Sequence, residues 1–179
     1  MGVQTSEPVR IETERLVLRG HTIEDFEPLA EMWADPEVVK YIGGRASNRQ
    51  DSWMRLLRYR GLWPVLGYGY WAVEEKSSGR FAGDLGFADF HRETTPSIAG
   101  IPEAGWAFAA WAHGRGFATE ALRAGLAWLD HGHRRSVCLV APENGSSIRV
   151  AEKCGFVVAQ SMRFRDEETL LMAREGRRS

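Results

Sequence analysis

The chain has 179 residues, of which 44% are hydrophobic and 26% charged, and its formal net charge is −1. This size and composition predict one globular domain with a substantial core, and the charge gives no basis for binding nucleic acid or an anionic membrane. No apolar run approaches the roughly 20 residues of a membrane span. Cys138 and Cys154 form neither a disulfide framework nor a metal-ligand spacing, so we expect a cytoplasmic protein without a metal.

The N-terminal third predicts a strand and two helices. Residues 9–19 alternate as a strand does, and Thr22 caps a helix that ends before Pro36. A second helix is predicted over residues 48–61, with Trp53, Leu56 and Leu57 facing inward. We expect its basic face to lie in solvent, with contact to an acidic substrate or a phosphate group as the alternative. This face consists of Arg49, Arg55, Arg58 and Arg60.

A β-hairpin and a long loop follow. Residues 67–75 and 80–90 predict paired strands, joined by a turn at residues 76–79. The loop at residues 91–101 is longer than the connection requires, and such loops often carry functional residues.

Residues 103–129 organise the chain, because they predict a strand, a glycine-rich turn and a helix in succession. The turn covers residues 113–118, and the helix has apolar or small residues at 118, 122, 125, 126 and 129. The first amides of a helix lack internal partners, and the helix dipole adds positive charge there. Glycines allow an anion to approach these amides closely. The segment therefore predicts a phosphate or pyrophosphate site.

The C-terminal part predicts the rest of a single α+β domain without a linker. A buried strand at residues 136–141 precedes a helix at residues 144–154, which Gly155 ends. Residues 156–160 and 168–173 predict a closing pair of strands, and residues 174–179 an arginine-rich, frayed tail.

Three motifs in this order resemble the GNAT superfamily of acyl-CoA N-acyltransferases. His113-x-x-Gly116-x-Ala118 resembles its pyrophosphate signature, usually R/Q-x-x-G-x-G/A, and the stretch from Asn144 to Phe156 resembles its second CoA-binding helix. The opening Thr13-Glu14-Arg15-Leu16 is similar to the branch that contains the ribosomal-protein-alanine N-acetyltransferases. The resemblance covers residues 10–172.

The resemblance implies a GNAT-like fold and an acetyl-transfer reaction. The expected sheet is mixed and mostly antiparallel, has six or seven strands and about four flanking helices, and contains a splayed strand pair at the CoA site. The expected activity moves an acetyl group from acetyl-CoA to a primary amine, on a protein N-terminus or a small molecule. The implied CoA-binding residues are Phe108, Ala110, His113, Gly114, Arg115, Gly116, Phe117, Ala118, Thr119, Asn144 and Ser147. For Asn144, helix capping is the alternative to binding.

Two positions depart from the family pattern and affect the expected chemistry. The first motif position, commonly Arg or Gln, is His113, and Ala151 stands where many members have the tyrosine that protonates the leaving thiolate. Glu103 is the predicted base, with Asp84 as a lesser candidate, and Ser147 is the predicted acid.

The acceptor is expected to bind between the early helices, the loop at residues 91–101 and the final strands. Its predicted walls are Trp33, Trp53, Trp63, Tyr68 and Phe90, although a core role is the default for each of them. The oligomeric state, a monomer or a homodimer, stays open.

An acyl-CoA-binding module with little turnover is the alternative function. A nucleotide phosphate loop is disfavoured, because no Gly-Lys-Ser/Thr ending follows the glycines.

Overall fold

The computed structural model describes residues 7–176, which form one eight-stranded sheet and five α-helices. The strands are β1 (Ile11–Glu12), β2 (Leu16–Arg19), β3 (Tyr70–Glu75), β4 (Phe81–Ala88), β5 (Glu103–Phe108), β6 (Arg135–Val140), β7 (Val157–Phe164) and β8 (Glu167–Glu175). The helices are α1 (Phe26–Ala34), α2 (Pro36–Val39), α3 (Arg49–Leu66), α4 (Phe117–Leu129) and α5 (Gly145–Lys153). The predicted α+β class is confirmed.

The sheet order is β1-β2-β3-β4-β5-β6-β8-β7, with neighbours antiparallel except for the parallel pair β5 and β6. Eight strands appear where six or seven were expected, because the predicted strand at residues 9–19 is two strands. Thr13 turns the chain between them: its N–H donates to the carbonyl of Leu16 at 2.9 Å. β1 then pairs with β2 as a short hairpin.

Helix α3 is longer than predicted and buries a different face. Asn48 caps it by accepting the N–H of Asp51 at 2.8 Å, and Gly67 ends it at a φ of 78°. Its buried residues are Ser52, Leu56, Tyr59 and Trp63. The inward placement of Leu57 is wrong, since this side chain is 43% exposed.

The predicted frayed tail is also wrong where the structure describes it. Arg174 lies in β8, and its guanidinium forms two hydrogen bonds of 2.7 Å with the Asp130 carboxylate beyond the end of α4. The N–H of Gly176 donates to the carbonyl of Arg134 at 2.7 Å. Residues 177–179 lie outside the described part of the chain.

Each face of the sheet carries its own apolar layer. The layer on one side joins α1 to α3 with Tyr70, Ala72 and Ala107 of the sheet. The opposite layer joins α4 and α5 with Trp71, Leu85 and other sheet residues. In the stretch from residue 7 to 176, no helix has the length and apolar character needed to cross a membrane.

Candidate active site

The parallel strands β5 and β6 separate soon after they begin. Within residues 7–176 their register contains one pair, Glu103 with Val137, and the N–H of Val137 donates to the carbonyl of Pro102 at 3.0 Å. Beyond this pair the strands diverge toward their carboxyl ends. The chain enters α4 after β5 and α5 after β6, so both helix N-termini lie at the open end of the gap.

Backbone groups of β5 point into this gap. The N–H of Ala109 donates to the carbonyl of Ala82 on the β4 side at 2.9 Å. Because successive residues of a strand direct their backbone groups to opposite sides, the amides of Trp106 and Phe108 face the gap. Phe108 and Ala110 are both among the CoA-binding residues that the family resemblance implies. The structure places the Phe108 amide at the gap, whereas Ala110 lies beyond β5 and begins a 3₁₀ turn at Ala110–Ala112.

His113 contacts β5 through its side chain. Its Nε2 lies 2.7 Å from the carbonyl oxygen of Phe108, and because a carbonyl only accepts hydrogen bonds, Nε2 carries the proton. The imidazole therefore donates a hydrogen bond to the Phe108 carbonyl, which points into the gap. His113, at the position that is commonly Arg or Gln in the family, thus stabilises the end of β5, and only its Nδ1 is left to bind another group.

The glycine-rich turn presents the first amides of α4. Gly114 and Gly116 adopt φ values of 73° and 78°, a conformation that favours glycine. A Cβ on Gly114 would meet nothing within 4 Å, so the outer side of this turn is open. The first hydrogen bond of the helix runs from the N–H of Glu120 to the carbonyl of Gly116 at 3.1 Å. The amides of Phe117, Ala118 and Thr119 therefore have no partner within the helix.

Arg115 is directed away from these amides. It forms an ion pair with Glu75, and its guanidinium carbon lies 4.4 Å from the ring centroid of Phe117 and 5.5 Å from that of Trp111. Its backbone remains in the turn. The side chain of Phe117 is 1% exposed and belongs to the core, so this residue offers only its amide to a ligand.

A clamp formed by Thr13, Arg15 and Glu120 holds the turn. Glu120 accepts hydrogen bonds from the Thr13 hydroxyl at 2.6 Å and from the Arg15 N–H and Nε at 2.9 and 2.7 Å. Arg15 also donates through Nη1 to the carbonyl of Arg115 at 2.8 Å. Residues from two of the recognised motifs thus meet directly. Sequence reasoning missed the contact, because no local spacing rule joins residues 105 positions apart.

The N-terminus of α5 contains the other predicted ligands. Asn144 is 8% exposed, and its Oδ1 accepts the Ser147 N–H at 3.1 Å and the Ser146 hydroxyl at 2.9 Å, so Asn144 caps the helix. Within residues 7–176 its amide nitrogen forms no hydrogen bond. Ser147 is half-buried, and Ala151 is fully buried against the core.

Glu103 is held by an arginine from the long loop. The carboxylate is 7% exposed and pairs with Arg92 through two hydrogen bonds, from Nε at 2.6 Å and from Nη2 at 3.0 Å. The Arg92 guanidinium lies between two aromatic rings, 4.7 Å from the centroid of Phe90 and 5.0 Å from that of Phe164. A shallow pocket adjoins this pair and is lined by Ala88, Asp89, Phe90, Arg92, Ile98, Ile101 and Glu103.

The lesser base candidate, Asp84, is enclosed in the core. It is 0% exposed, and its two oxygens bind His21 Nε2 at 2.7 Å and Trp33 Nε1 at 2.9 Å. Asp84 therefore holds α1 to the sheet and does not reach a substrate.

The predicted acceptor walls do not gather into one surface. Phe90 lies beside the pair formed by Glu103 and Arg92. Trp33 is buried under α3, and Trp53 is half-buried on the same side of the sheet. Tyr68 packs on the opposite side, with its ring edge-on to His133 at 5.0 Å.

Both cysteines belong to the core. Cys138 is 1% and Cys154 8% exposed, and burial raises the pKa of both thiols. Across residues 7–176, no group of three His, Cys, Asp or Glu residues could hold a metal ion.

Comparisons with known proteins identify the family of this chain. A family model of the acetyltransferase (GNAT) domain matches residues 15–157. The chain is 31% identical over 163 residues to the Uncharacterized protein YkkB of Bacillus subtilis, and the match covers 86% of this chain and 88% of that protein.

Solved structures extend the match to the whole fold. A structure from Bordetella pertussis, named for the GnaT acetyltransferase family, is 32% identical with a TM-score of 0.81, over 93% of this chain and 99% of that chain. The ribosomal-protein-S5-alanine acetyltransferase of Vibrio fischeri has a TM-score of 0.75 at 17% identity, over 94% and 97% of the two chains, and so shares the fold. The chain belongs to the GNAT acetyltransferase family and is an acyltransferase of that family.

Proposed function

We propose that the protein transfers the acetyl group of acetyl-CoA to a primary amine, on a small molecule or a protein N-terminus, by direct attack in a ternary complex. The observation that carries the proposal is the gap between β5 and β6, which has two helix N-termini at its open end and strand amides along one side. A pyrophosphate suits the helix amides, and the amide-rich pantetheine arm suits unpaired strand groups.

The backbone performs most of the binding in this proposal. The pyrophosphate contacts the amides of the turn and of the first helical residues, which are Gly114, Arg115, Gly116, Phe117, Ala118 and Thr119. The amide of Phe108 polarises the thioester carbonyl, and such an oxyanion contact contributes about 3–4 kcal/mol in other enzymes. Asn144 donates its amide hydrogens to the pantetheine arm, while its Oδ1 continues to cap α5.

In this proposal, Glu103 orients the amine and acts as the base. It lies beside the shallow pocket, three residues before Trp106, whose amide faces the gap. Because Arg92 occupies both carboxylate oxygens, Glu103 orients the amine and receives its proton through a water molecule. Glu103→Gln should therefore lower turnover more than acetyl-CoA affinity, and equal effects on both would contradict this role.

The binding step can be tested by calorimetry with acetyl-CoA. A valine at position 116 places a β-branched residue at positive φ in the turn, so Gly116→Val should abolish binding. Gly43→Val is the matched control, because Gly43 has a φ of 79° just after α2, whose buried valines belong to the apolar layer on the face opposite α4 and α5. Normal binding by Gly116→Val would show that the anion site lies elsewhere.

The reaction itself can be tested by the release of free thiol from acetyl-CoA in the presence of small amines and N-terminal peptides. We expect release to depend on the amine. Tight acetyl-CoA binding without release for every amine would instead identify a binding module.

A further inference from the structure

The side chain of Tyr70 crosses the sheet over two glycines and extends toward the gap. Tyr70 of β3 pairs with Gly86 of β4, which in turn pairs with Gly105 of β5. A Cβ on Gly86 would collide with the backbone of Tyr70, and a Cβ on Gly105 would collide with the Tyr70 hydroxyl. The two glycines therefore leave the space in which the phenol ring crosses β4 and reaches β5.

The hydroxyl arrives next to the part of β5 that borders the gap. Gly105 directly precedes Trp106, whose amide faces the gap. Tyr70 and Ala107 belong to the apolar layer beneath α1 and α3, so the hydroxyl lies on the face opposite α4 and α5. A donor entering past the N-termini of α4 and α5 and an acceptor entering from the other face would meet beside it.

The hydroxyl is available for a reaction. The Tyr70 Oη forms no hydrogen bond within residues 7–176, although the residue is only 7% exposed. The ring is fixed, because it stacks on Tyr59 at a centroid distance of 4.3 Å and an interplanar angle of 2°. Burial and the negative charge of Glu103 raise the pKa of Tyr70 well above its ordinary value, so the phenol keeps its proton at neutral pH.

We propose that Tyr70 is a catalytic residue that donates its hydroxyl proton to the departing CoA sulfur. This inference rests on the proposed function. The amine nitrogen bonds to the thioester carbon, the carbon–sulfur bond breaks, and its electron pair leaves with the sulfur. The sulfur takes the proton of Tyr70 Oη, while the acylated nitrogen gives its one surplus proton to Glu103 through water, and Glu103 returns that proton through water to the phenolate. The products are the amide and CoA with a free thiol.

The other positions are less suited to this step. Ala151 has no proton to give, and its full burial leaves no room for a larger side chain. The hydroxyl of Ser147 is an aliphatic alcohol, which protonates a thiolate poorly.

The test compares Tyr70→Phe with Tyr59→Phe in thiol release and in calorimetry with acetyl-CoA. Both variants lose one hydroxyl from the same ring stack, and both keep the packing. General-acid contributions are commonly about 100-fold or more, so kcat of Tyr70→Phe should fall by roughly that factor. Its Kd for acetyl-CoA and the kcat of Tyr59→Phe should each stay within about twofold of the wild-type values, as expected when only the proton donor is removed.

Three results would overturn the inference. The first is a kcat of Tyr70→Phe within about twofold of wild type, and the second is a loss of acetyl-CoA affinity equal to the loss of turnover. The third is a large loss of kcat in Ser147→Ala with none in Tyr70→Phe, which would make Ser147 the donor. In each case wild-type turnover would leave the proposed function intact, whereas a wild-type protein that releases no thiol would overturn both.

Discussion

The clamp at Glu120 provides a sharp test of how the glycine-rich turn is held. Glu120→Gln removes the charge but preserves the size of the side chain. The glutamine Oε1 can still accept the hydrogen bonds that now come from the Thr13 hydroxyl and the Arg15 N–H. The contact between Oε2 and Arg15 is lost, because an amide NH₂ group replaces this oxygen. The NH₂ group is itself a hydrogen-bond donor and cannot accept from the Arg15 guanidinium.

The size of the effect follows from this one contact. A hydrogen bond to a charged group contributes about 1.5–3 kcal/mol, and the Arg15 side chain is 45% exposed, which screens the interaction. We therefore expect Glu120→Gln to lower the free energy of unfolding by about 1–2 kcal/mol at pH 7.

The difference should also depend on pH. Burial raises the pKa of Glu120, but the hydrogen bonds from Thr13 and Arg15 outweigh it and hold the pKa below the ordinary value of 4.5. A carboxyl whose pKa is lower in the folded protein stabilises it fully above the unfolded value, and this contribution is lost as the pH falls through the folded value. The difference between wild type and variant should therefore shrink below pH 4.5.

Denaturant unfolding at pH 7 and at acidic pH measures both effects. Glu27→Gln is the matched control, because Glu27 pairs with Arg49 at the same 2.7 Å but both side chains are more than 60% exposed. The control should unfold at the same denaturant concentration as wild type. An equal shift in both variants, or a Glu120→Gln shift that does not change with pH, would refute the role assigned to the Glu120 charge.

Three further predictions concern buried positions. Asp84→Asn should destabilise the protein by about 3 kcal/mol in denaturant unfolding, since it disrupts the fully buried pair with His21; a loss below 1 kcal/mol would contradict that role. Asn144→Ala should lower the free energy of unfolding by about 1 kcal/mol, because the α5 cap is lost. In the same assay Asn144→Asp should retain most of that stability, since aspartate also caps helices. Ala151→Tyr should lower the melting temperature without raising kcat, because the site is already filled, and a gain in kcat would refute this.

Local patterns were sufficient for much of the fold and for the glycine-rich turn before α4. The glycines at 114 and 116 and the apolar spacing of α4 determine a turn and a helix start, whatever the rest of the chain does. The same is true of the end of α1 before Pro36 and the end of α5 at Gly155. Each follows from backbone sterics and from the unpaired amides and carbonyls of helix ends, which depend on a few neighbouring residues.

The predictions from sequence were wrong where a side chain could be either buried or exposed by local pattern alone. Leu57 fits an inward helix position by spacing, but the packing of α3 against the sheet buries Leu56 and Tyr59 instead. The arginine-rich end was predicted to be a frayed tail, yet Arg174 pairs with the partly buried carboxylate of Asp130. In both cases the environment of the side chain depends on residues far away in the chain, which local sequence patterns do not predict.

The sequence by itself determined the family, the α+β class and the glycine-rich turn before α4. Only the tertiary structure decided what surrounds that turn. The pairing of Glu103 with Arg92, the clamp at Glu120 and the passage of Tyr70 over Gly86 and Gly105 all join residues far apart in the chain. Such contacts depend on strand register and on which faces pack together, and these are set only when the whole sheet has formed.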